Sequence, residues 1–252
     1  MRCMRTFGLA AALALALAPA AADAAEFNAT SVSVLYGTGF DDIATGMASP
    51  TERLFTLTLE NTLAWAYGDS FFFMDMASGR FAEGQGTDYT LYAEWAPRLS
   101  LSKISGAEIA AGPLRDLLIA GEINRGPGFN VLLGGLGTSL DVPGFAFWSL
   151  NAYVRKDNFN GANYQVTTSW GVPFDIGAVG LSFEGFADVY GTDAAGFNLL
   201  TQPQLLVDVG EHFGARENRL RVGAEVWIHH TTVVAGERYT TLAPQVLAKF
   251  AF

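Results

Sequence analysis

The sequence predicts an all-β fold, a closed antiparallel transmembrane β-barrel of about twelve strands. Three observations carry this. Apolar and polar residues alternate with a period of two in run after run, as in strands with one oily and one wet face. The chain stops on "QVLAKFAF", where Val246, Ala248, Phe250 and Phe252 share one parity while Gln245 and Lys249 take the other. Beyond residue 25 no apolar run reaches the roughly eighteen residues that a membrane-crossing helix needs. Glycine (28 residues) and aromatics (13%) are nevertheless frequent, and charged residues make up only 16%. An apolar terminal strand is an aggregation hazard in water. It makes sense when it pairs with the first strand and turns its oily face to lipid.

Residues 1–24 are read as a cleaved secretory signal peptide, and 25–252 as a single barrel domain. Arg2 and Arg5 open the chain, Phe7 to Ala18 form an apolar stretch, and Ala22-Asp23-Ala24 fits a small-x-small cleavage site. The clearest strands follow. In "RLFTLTLENTLAWAYG", Phe55, Leu57, Leu59, Leu63 and Trp65 oppose Thr56, Thr58, Glu60 and Thr62. In "YTLYAEWAPRLSLS", Leu91, Ala93, Trp95, Leu99 and Leu101 oppose Tyr92, Glu94, Arg98 and Ser100. "FWSLNAYVRK" sets Trp148, Leu150, Ala152 and Val154 against Phe147, Ser149, Asn151, Tyr153 and Arg155. "VGLSFEGFADVY" sets Val179, Leu181, Phe183 and Val189 against Ser182, Glu184, Phe186 and Asp188. "RLRVGAEVWIHH" sets Leu220, Val222, Ala224, Val226 and Ile228 against Arg219, Arg221, Glu225, Trp227 and His229.

Weaker candidates at 27–40, 70–77, 114–125, 129–140, 162–172 and 199–209, with the terminal strand at 239–252, bring the count to about twelve. Turn signals such as "YGDS", "RGPGF", "DVPGF", "NFNGAN", "GTDAAGFN" and "VVAGER" separate the runs. An even count places both ends on the periplasmic side. The outside loops then fall near 41–53, 78–88, 125–129, 156–163, 191–198 and 230–238. The stretch "KISGAEIAAGPL" is long for a periplasmic turn. The oily faces carry Trp65, Trp95 and Trp148 toward strand ends, as interfacial girdles require.

The formal net charge is −10. Loss of residues 1–24 removes two arginines and one aspartate and makes it −11. An acidic chain lacks the basic footprint that phosphate backbones need, so nucleic acid is not an expected partner. Cys3, the only cysteine, leaves with the signal, which removes disulfides and thiolate metal sites from consideration. No cofactor is implied.

Three stretches resemble the nucleoside-specific channel family of outer-membrane proteins, Tsx-like and OmpK-like. "YAEWAPRLSLSKISGAEIAAGPLRD" is similar to that family's Glu-x-x-Pro-Arg-(Leu/Phe)-Ser stretch and the later Gly-Pro. "GLGTSLDVPGFAFWSLNAYVRK" is similar to its Leu-Gly-Thr-x-(Ile/Leu)-Asp segment and Asn-x-Tyr strand. "LSFEGFADVYGTD" is similar to its Gly-Phe-x-(Asn/Asp) strand. The first strand keeps a Tyr-x-Thr-x-Phe ending at Phe40, and Asp75 is retained. Gly39 stands where better-known nucleoside channels carry Arg, and Phe71 and Phe73 where they carry Tyr. The resemblance implies a monomeric twelve-stranded barrel with a narrow, keyhole-like pore that passes nucleosides.

Such a pore needs aromatic faces for bases and short polar groups for ribose hydroxyls. Parity and resemblance together place Phe40, Glu60, Phe71, Phe73, Asp75, Tyr92, Glu94, Arg98, Asn151, Tyr153, Arg155, Glu184, Phe186 and Asp188 on the lumen face, with Glu225 beside them. Phe71 and Phe73 would face lipid if the register slipped by one. The expected partners are outer-membrane lipid, nucleosides or similar small solutes, and the barrel-assembly machinery through the strand ending at Phe252. A non-specific, structural or receptor barrel is the alternative, and a lipid hydrolase using His229 a minor one. That last reading lacks an identifiable serine nucleophile.

Overall fold

The computed structural model describes residues 25–40, 53–79, 89–194, 196–232 and 236–252. The expected signal peptide and most of the expected loops at 41–53 and 78–88 lie outside the described residues. The strands are β1 (Ala25–Thr38), β2 (Arg53–Trp65), β3 (Gly68–Ser78), β4 (Tyr89–Ser100), β5 (Leu118–Gly126), β6 (Phe129–Ser139) and β7 (Phe147–Asp157). They continue as β8 (Ala162–Ile176), β9 (Val179–Tyr190), β10 (Asn198–Thr201), β11 (Gln204–Asp208), β12 (Leu220–Thr232) and β13 (Arg238–Ala251). A short helix, α1 (Leu101–Ser105), follows β4.

Sequence neighbours pair antiparallel, except β10 with β11, and β13 pairs with both β12 and β1. The sheet is therefore closed. The closing seam runs from Ser31↔Ala251 to Gly37↔Gln245. Thirteen strand segments fill twelve positions, because β10 and β11 both lie between β9 and β12. The break falls at Gln202–Pro203, where proline has no N–H to give to the ladder. Backbone bonds from Gln202 N to Phe186 O (3.3 Å) and from Val226 N to Pro203 O (3.1 Å) span the gap.

The faces are inverted relative to a water-soluble protein. Val34, Leu91, Leu132, Leu136, Val154, Leu242 and Val246 stand exposed on the outside, while Thr56, Asn151, Arg155 and Glu225 are buried inside. Alternation produces this division, since successive side chains point to opposite faces of a strand. Tyr36, Phe55, Tyr89 and Tyr164 ring the outside at the mouth, the end opposite Ala25 and Ala251. Trp65, Trp148, Trp170, Phe174 and Phe250 ring the base. Trp95 is not part of either girdle: it sits mid-strand between Phe72 and Ile123.

The long connection after β4 is filled by α1 and an Ala111–Leu114 bridge. Ser100 caps α1 by accepting from Lys103 N at 2.9 Å, and Gly106, at φ 70°, ends it. Asp116 ties this connection to the barrel base. It accepts from Ser100 Oγ, from Ser102 N (3.1 Å) and Oγ (2.7 Å), and from Leu117 N (2.8 Å). Burial works against its charge, but the bonds from Ser100, Ser102 and Leu117 outweigh that and hold its pKa below the usual 3.8.

Two predictions follow from these contacts. A Cβ on Gly135 would lie 2.0 Å from the Ala152 carbonyl oxygen. Gly135→Val should therefore abolish the folded, heat-modifiable band on gels while leaving expression of the chain intact. Asp116→Asn should cost about 1 kcal/mol once solvent screening is allowed for. Because the folded pKa is the lower one, the carboxylate's contribution is full above 3.8 and fades as pH falls through the folded value. The stability gap between parent and variant, measured by denaturant unfolding in micelles, should be widest near neutrality and close in acid.

Candidate lumen site

The strand register places the expected residues on the inner face. Glu60 lies opposite Phe73 and Phe73 opposite Glu94. Thr58 lies opposite Asp75, which lies opposite Tyr92. Asn151 opposes Thr167, which opposes Asp188, and Gly171 opposes Glu184. Tyr153, Arg155 and Phe186 follow on the same parity. Because Thr62 and Phe71 are cross-strand partners, the register that would turn Phe71 and Phe73 to lipid is not adopted.

Along one wall the aromatic side chains form a continuous track. Ring centroids are 6.0 Å apart from Phe71 to Phe73, 5.9 Å from Phe73 to Tyr92, 6.2 Å from Tyr92 to Phe129 and 6.4 Å from Phe129 to Phe159. Phe159 lies in the connection between β7 and β8 at the mouth, and Phe71 lies three residues from the β2–β3 turn at the base. The track thus runs along most of the barrel's length. Phe129 and Phe159 were not legible from alternation. Phe129 follows a Gly-Pro-Gly turn and Phe159 belongs to a loop, so neither has a parity to read.

Phe40 differs from its expected role. It is 4% exposed and packs at 5.9 Å from the Trp227 ring, with Leu54, Ala77 and Ala243 around it. Its faces are spent on this packing, so it does not offer a platform to a solute. His229 sits edge-on to Trp227 and pairs with the Tyr190 hydroxyl at 2.8 Å. His230 is outside and pairs with Thr240.

The basic side chains inside act as braces. Arg98 holds Asp69 through two bonds, of 2.7 and 2.9 Å, a fork that only guanidinium makes. Arg155 pairs with Asp157, takes Gln165 at 3.2 Å and lies 4.7 Å above the Tyr190 ring. Lys249 bridges Glu60 at 2.6 Å and Glu184 at 3.2 Å, tying β13 to β2 on one side and β9 on the other. Arg221 joins the same group through Glu184 at 3.0 Å and Ser182 at 3.1 Å.

Other carboxylates inside are held by neutral groups. Thr58 donates to Asp75 at 2.5 Å and Thr167 to Asp188 at 2.6 Å. Tyr92 and Asn124 donate to Glu94 at 2.5 and 3.1 Å. Gln204 and Gln245 donate to Glu225 at 2.6 and 2.7 Å. Glu122 and Asn124 were missed as site residues, yet "LIAGEINRG" does alternate, with Leu118, Ala120, Glu122 and Asn124 on the buried face.

A closed strand barrel with an apolar belt, an aromatic girdle at each end and a charged, narrow interior is a transmembrane β-barrel of the outer-membrane class. Within that class, comparison with known proteins relates the chain to OmpK-like outer-membrane proteins. It is 29% identical over 132 residues to outer membrane protein OmpK of Vibrio parahaemolyticus, a match covering 49% of this chain and 48% of that one. The match therefore spans about half the length of the curated relative. No family model matches the chain. Among solved structures, the KdgM porin aligns with a TM-score of 0.49 at 8% identity, over 89% of this chain and 99% of its own. The KdgM porin in complex with disordered oligogalacturonate aligns with a TM-score of 0.48 at 8% identity, over 88% and 99%.

Removing one partner of a buried ion pair leaves an uncompensated charge, which costs about 3 kcal/mol or more. Lys249→Met should destabilise the barrel by that order, read as a lower unfolding midpoint. A second change, Glu60→Gln, should restore part of the loss by removing the carboxylate that Lys249 alone neutralises, since Glu184 keeps Arg221.

Proposed function

We propose that the protein is a passive outer-membrane diffusion channel, a porin for nucleosides or similar small polar solutes. The observation that carries this reading is the five-ring track from Phe159 to Phe71, flanked on the lumen face by Asp75, Glu94 and Glu60. A flat base stacks on an aromatic face with roughly 1–3 kcal/mol. Rings spaced at about 6 Å let a solute engage the next before leaving the last, and several modest sites in series favour flux over retention. The carboxylates beside the rings supply acceptors for ribose hydroxyls.

In this reading residues 1–24 direct export and are removed, and the strand ending at Phe252 is read by the barrel-assembly machinery. The mouth faces outward, and one chain forms one pore. Phe40 belongs to the packing that narrows the mouth, not to the path.

Liposome swelling with nucleosides against sugars of similar size tests the reading, and faster swelling with nucleosides is the expected result. In planar bilayers, Phe73→Ala and Phe129→Ala should each weaken nucleoside block of the single-channel current by about tenfold, the worth of one lost stacking contact. Phe40→Ala should leave the affinity of that block unchanged. Equal behaviour of the parent and both track variants would remove the aromatic path from the account.

A further inference from the structure

Building on the channel reading, we infer that the pore selects organic cations, protonated amines carrying an aromatic or apolar body, over anions. The first observation is an unequal distribution of countercharge. Lys249, Arg221, Arg98 and Arg155 are each committed to Glu60, Glu184, Asp69 or Asp157. Among the described residues, Asp75, Glu94, Glu122, Asp188 and Glu225 have no basic side chain at ion-pair distance. Arg155 lies within electrostatic reach of Glu122 and Asp188, but its guanidinium is taken by Asp157 and Gln165 and covers the Tyr190 ring.

These five carboxylates face one another around the lumen. Glu94, on β4, is within electrostatic reach of Glu122, Asp188 and Asp75, and Asp188 is on β9 across the barrel. Glu225, on β12, is within reach of Asp75 and Glu60 and also of Lys249, whose ammonium is bonded to Glu60 and Glu184. A ring of carboxyl groups in a narrow, partly dry lumen cannot carry all its charge alone: it takes up protons or it admits a positive charge.

A second observation is independent of charge. The amide of Asn124, 6% exposed, gives its N–H to Glu94 and leaves its carbonyl Oδ1 without a partner. Gln245, 7% exposed, and Gln204 do the same at Glu225, leaving both Oε1 atoms unpartnered. Buried amide oxygens seek donors. Next to the carboxylates, then, the protein holds a surplus of buried acceptors. The unpartnered Tyr153 hydroxyl, near Glu122 and Asp188, can accept as well.

An ammonium group meets both demands, because it carries a positive charge and three donors with no acceptor. The track beside it completes the match. Phe73 and Tyr92 lie next to Asp75 and Glu94 in the register, so a cation held by the carboxylates has aromatic faces beside it, the arrangement of cation–π recognition. An anion of the same size would meet the ring of carboxylates with, among the described residues of the inner face, no basic group that is not already paired.

The test uses the purified, folded protein in planar bilayers under a KCl gradient. The expected result is a preference for K⁺ over Cl⁻ on the order of tenfold, as a charged, low-dielectric passage produces. Benzylammonium should block the current at concentrations about tenfold lower than uncharged benzyl alcohol, reflecting the focused field, and benzoate should not block. The triple variant Glu94→Gln, Glu122→Gln, Asp188→Asn keeps side-chain shape and should lose most of the cation preference and the difference between the two blockers. Conductance steps without cation preference, or equal block by benzylammonium and benzyl alcohol, overturn this inference and leave the channel reading standing. A triple variant that conducts with undiminished cation preference also overturns it. Absence of conductance steps in the parent overturns the channel reading itself. If the triple variant does not fold, the parent's selectivity and blocker series decide the matter alone.

Discussion

A strand placed in hydrocarbon has no water to receive its N–H and C=O groups, and each group left unpaired costs several kcal/mol. The rest of the structure depends on meeting that demand. The seam between β1 and β13 is what meets it, since without Val32↔Phe250 and its neighbours two edges would lie open to lipid. Closure around a centre then defines an inside and an outside for every residue. The interruption at Gln202–Pro203 is tolerated because its neighbours still find backbone partners through Phe186 and Val226. The outward phenylalanine of β13 is explained by the same constraint: Phe250 is on the lipid face of the strand that seals the barrel.

The inside is divided by function. On the side of β1, β2 and β9–β13, side chains fill and brace. Leu35, Leu206 and Leu247 make one small apolar cluster, Phe40 and Trp227 belong to another, and Lys249 spans the width between Glu60 and Glu184. On β3 and β4 the rings of Phe71, Phe73 and Tyr92 line up lengthwise and meet Phe129 near the mouth. A barrel of this size leaves little room, so in the proposed channel packing on one side would confine passage to the other. Rigid bracing also keeps the rings at fixed spacing, which a flexible wall would not.

Charge is handled in two ways that cut across this division. Arg98, Arg155, Arg221 and Lys249 are each bonded to specific carboxylates, as in the two-bond fork of Arg98 on Asp69. At Asp75, Glu94 and Asp188, carboxylates are instead held by hydroxyls and amides: Thr58, Tyr92, Asn124 and Thr167. Neutral donors orient a carboxylate without cancelling its field. That is the difference between a charge used to hold strands together and a charge left available to whatever enters the lumen.

Much of this was readable before any coordinates. A period of two assigns faces, so the inward placement of Glu60, Asp75, Glu94, Asn151, Arg155 and Asp188 came from local pattern, as did the closed sheet and the outward run to Phe252. Alternation is a property of the single strand and needs no neighbour. What local pattern does not contain is who stands across the lumen. The commitment of Lys249 to two strands, the burial of Phe40 against Trp227, the mid-strand position of Trp95, the addition of Phe129 and Phe159 to the track, and the isolation of Glu122 and Asp188 from free basic groups were decided only when the sheet closed. Those relations join residues far apart in the chain, and their distances are set by the curvature and register of the whole barrel.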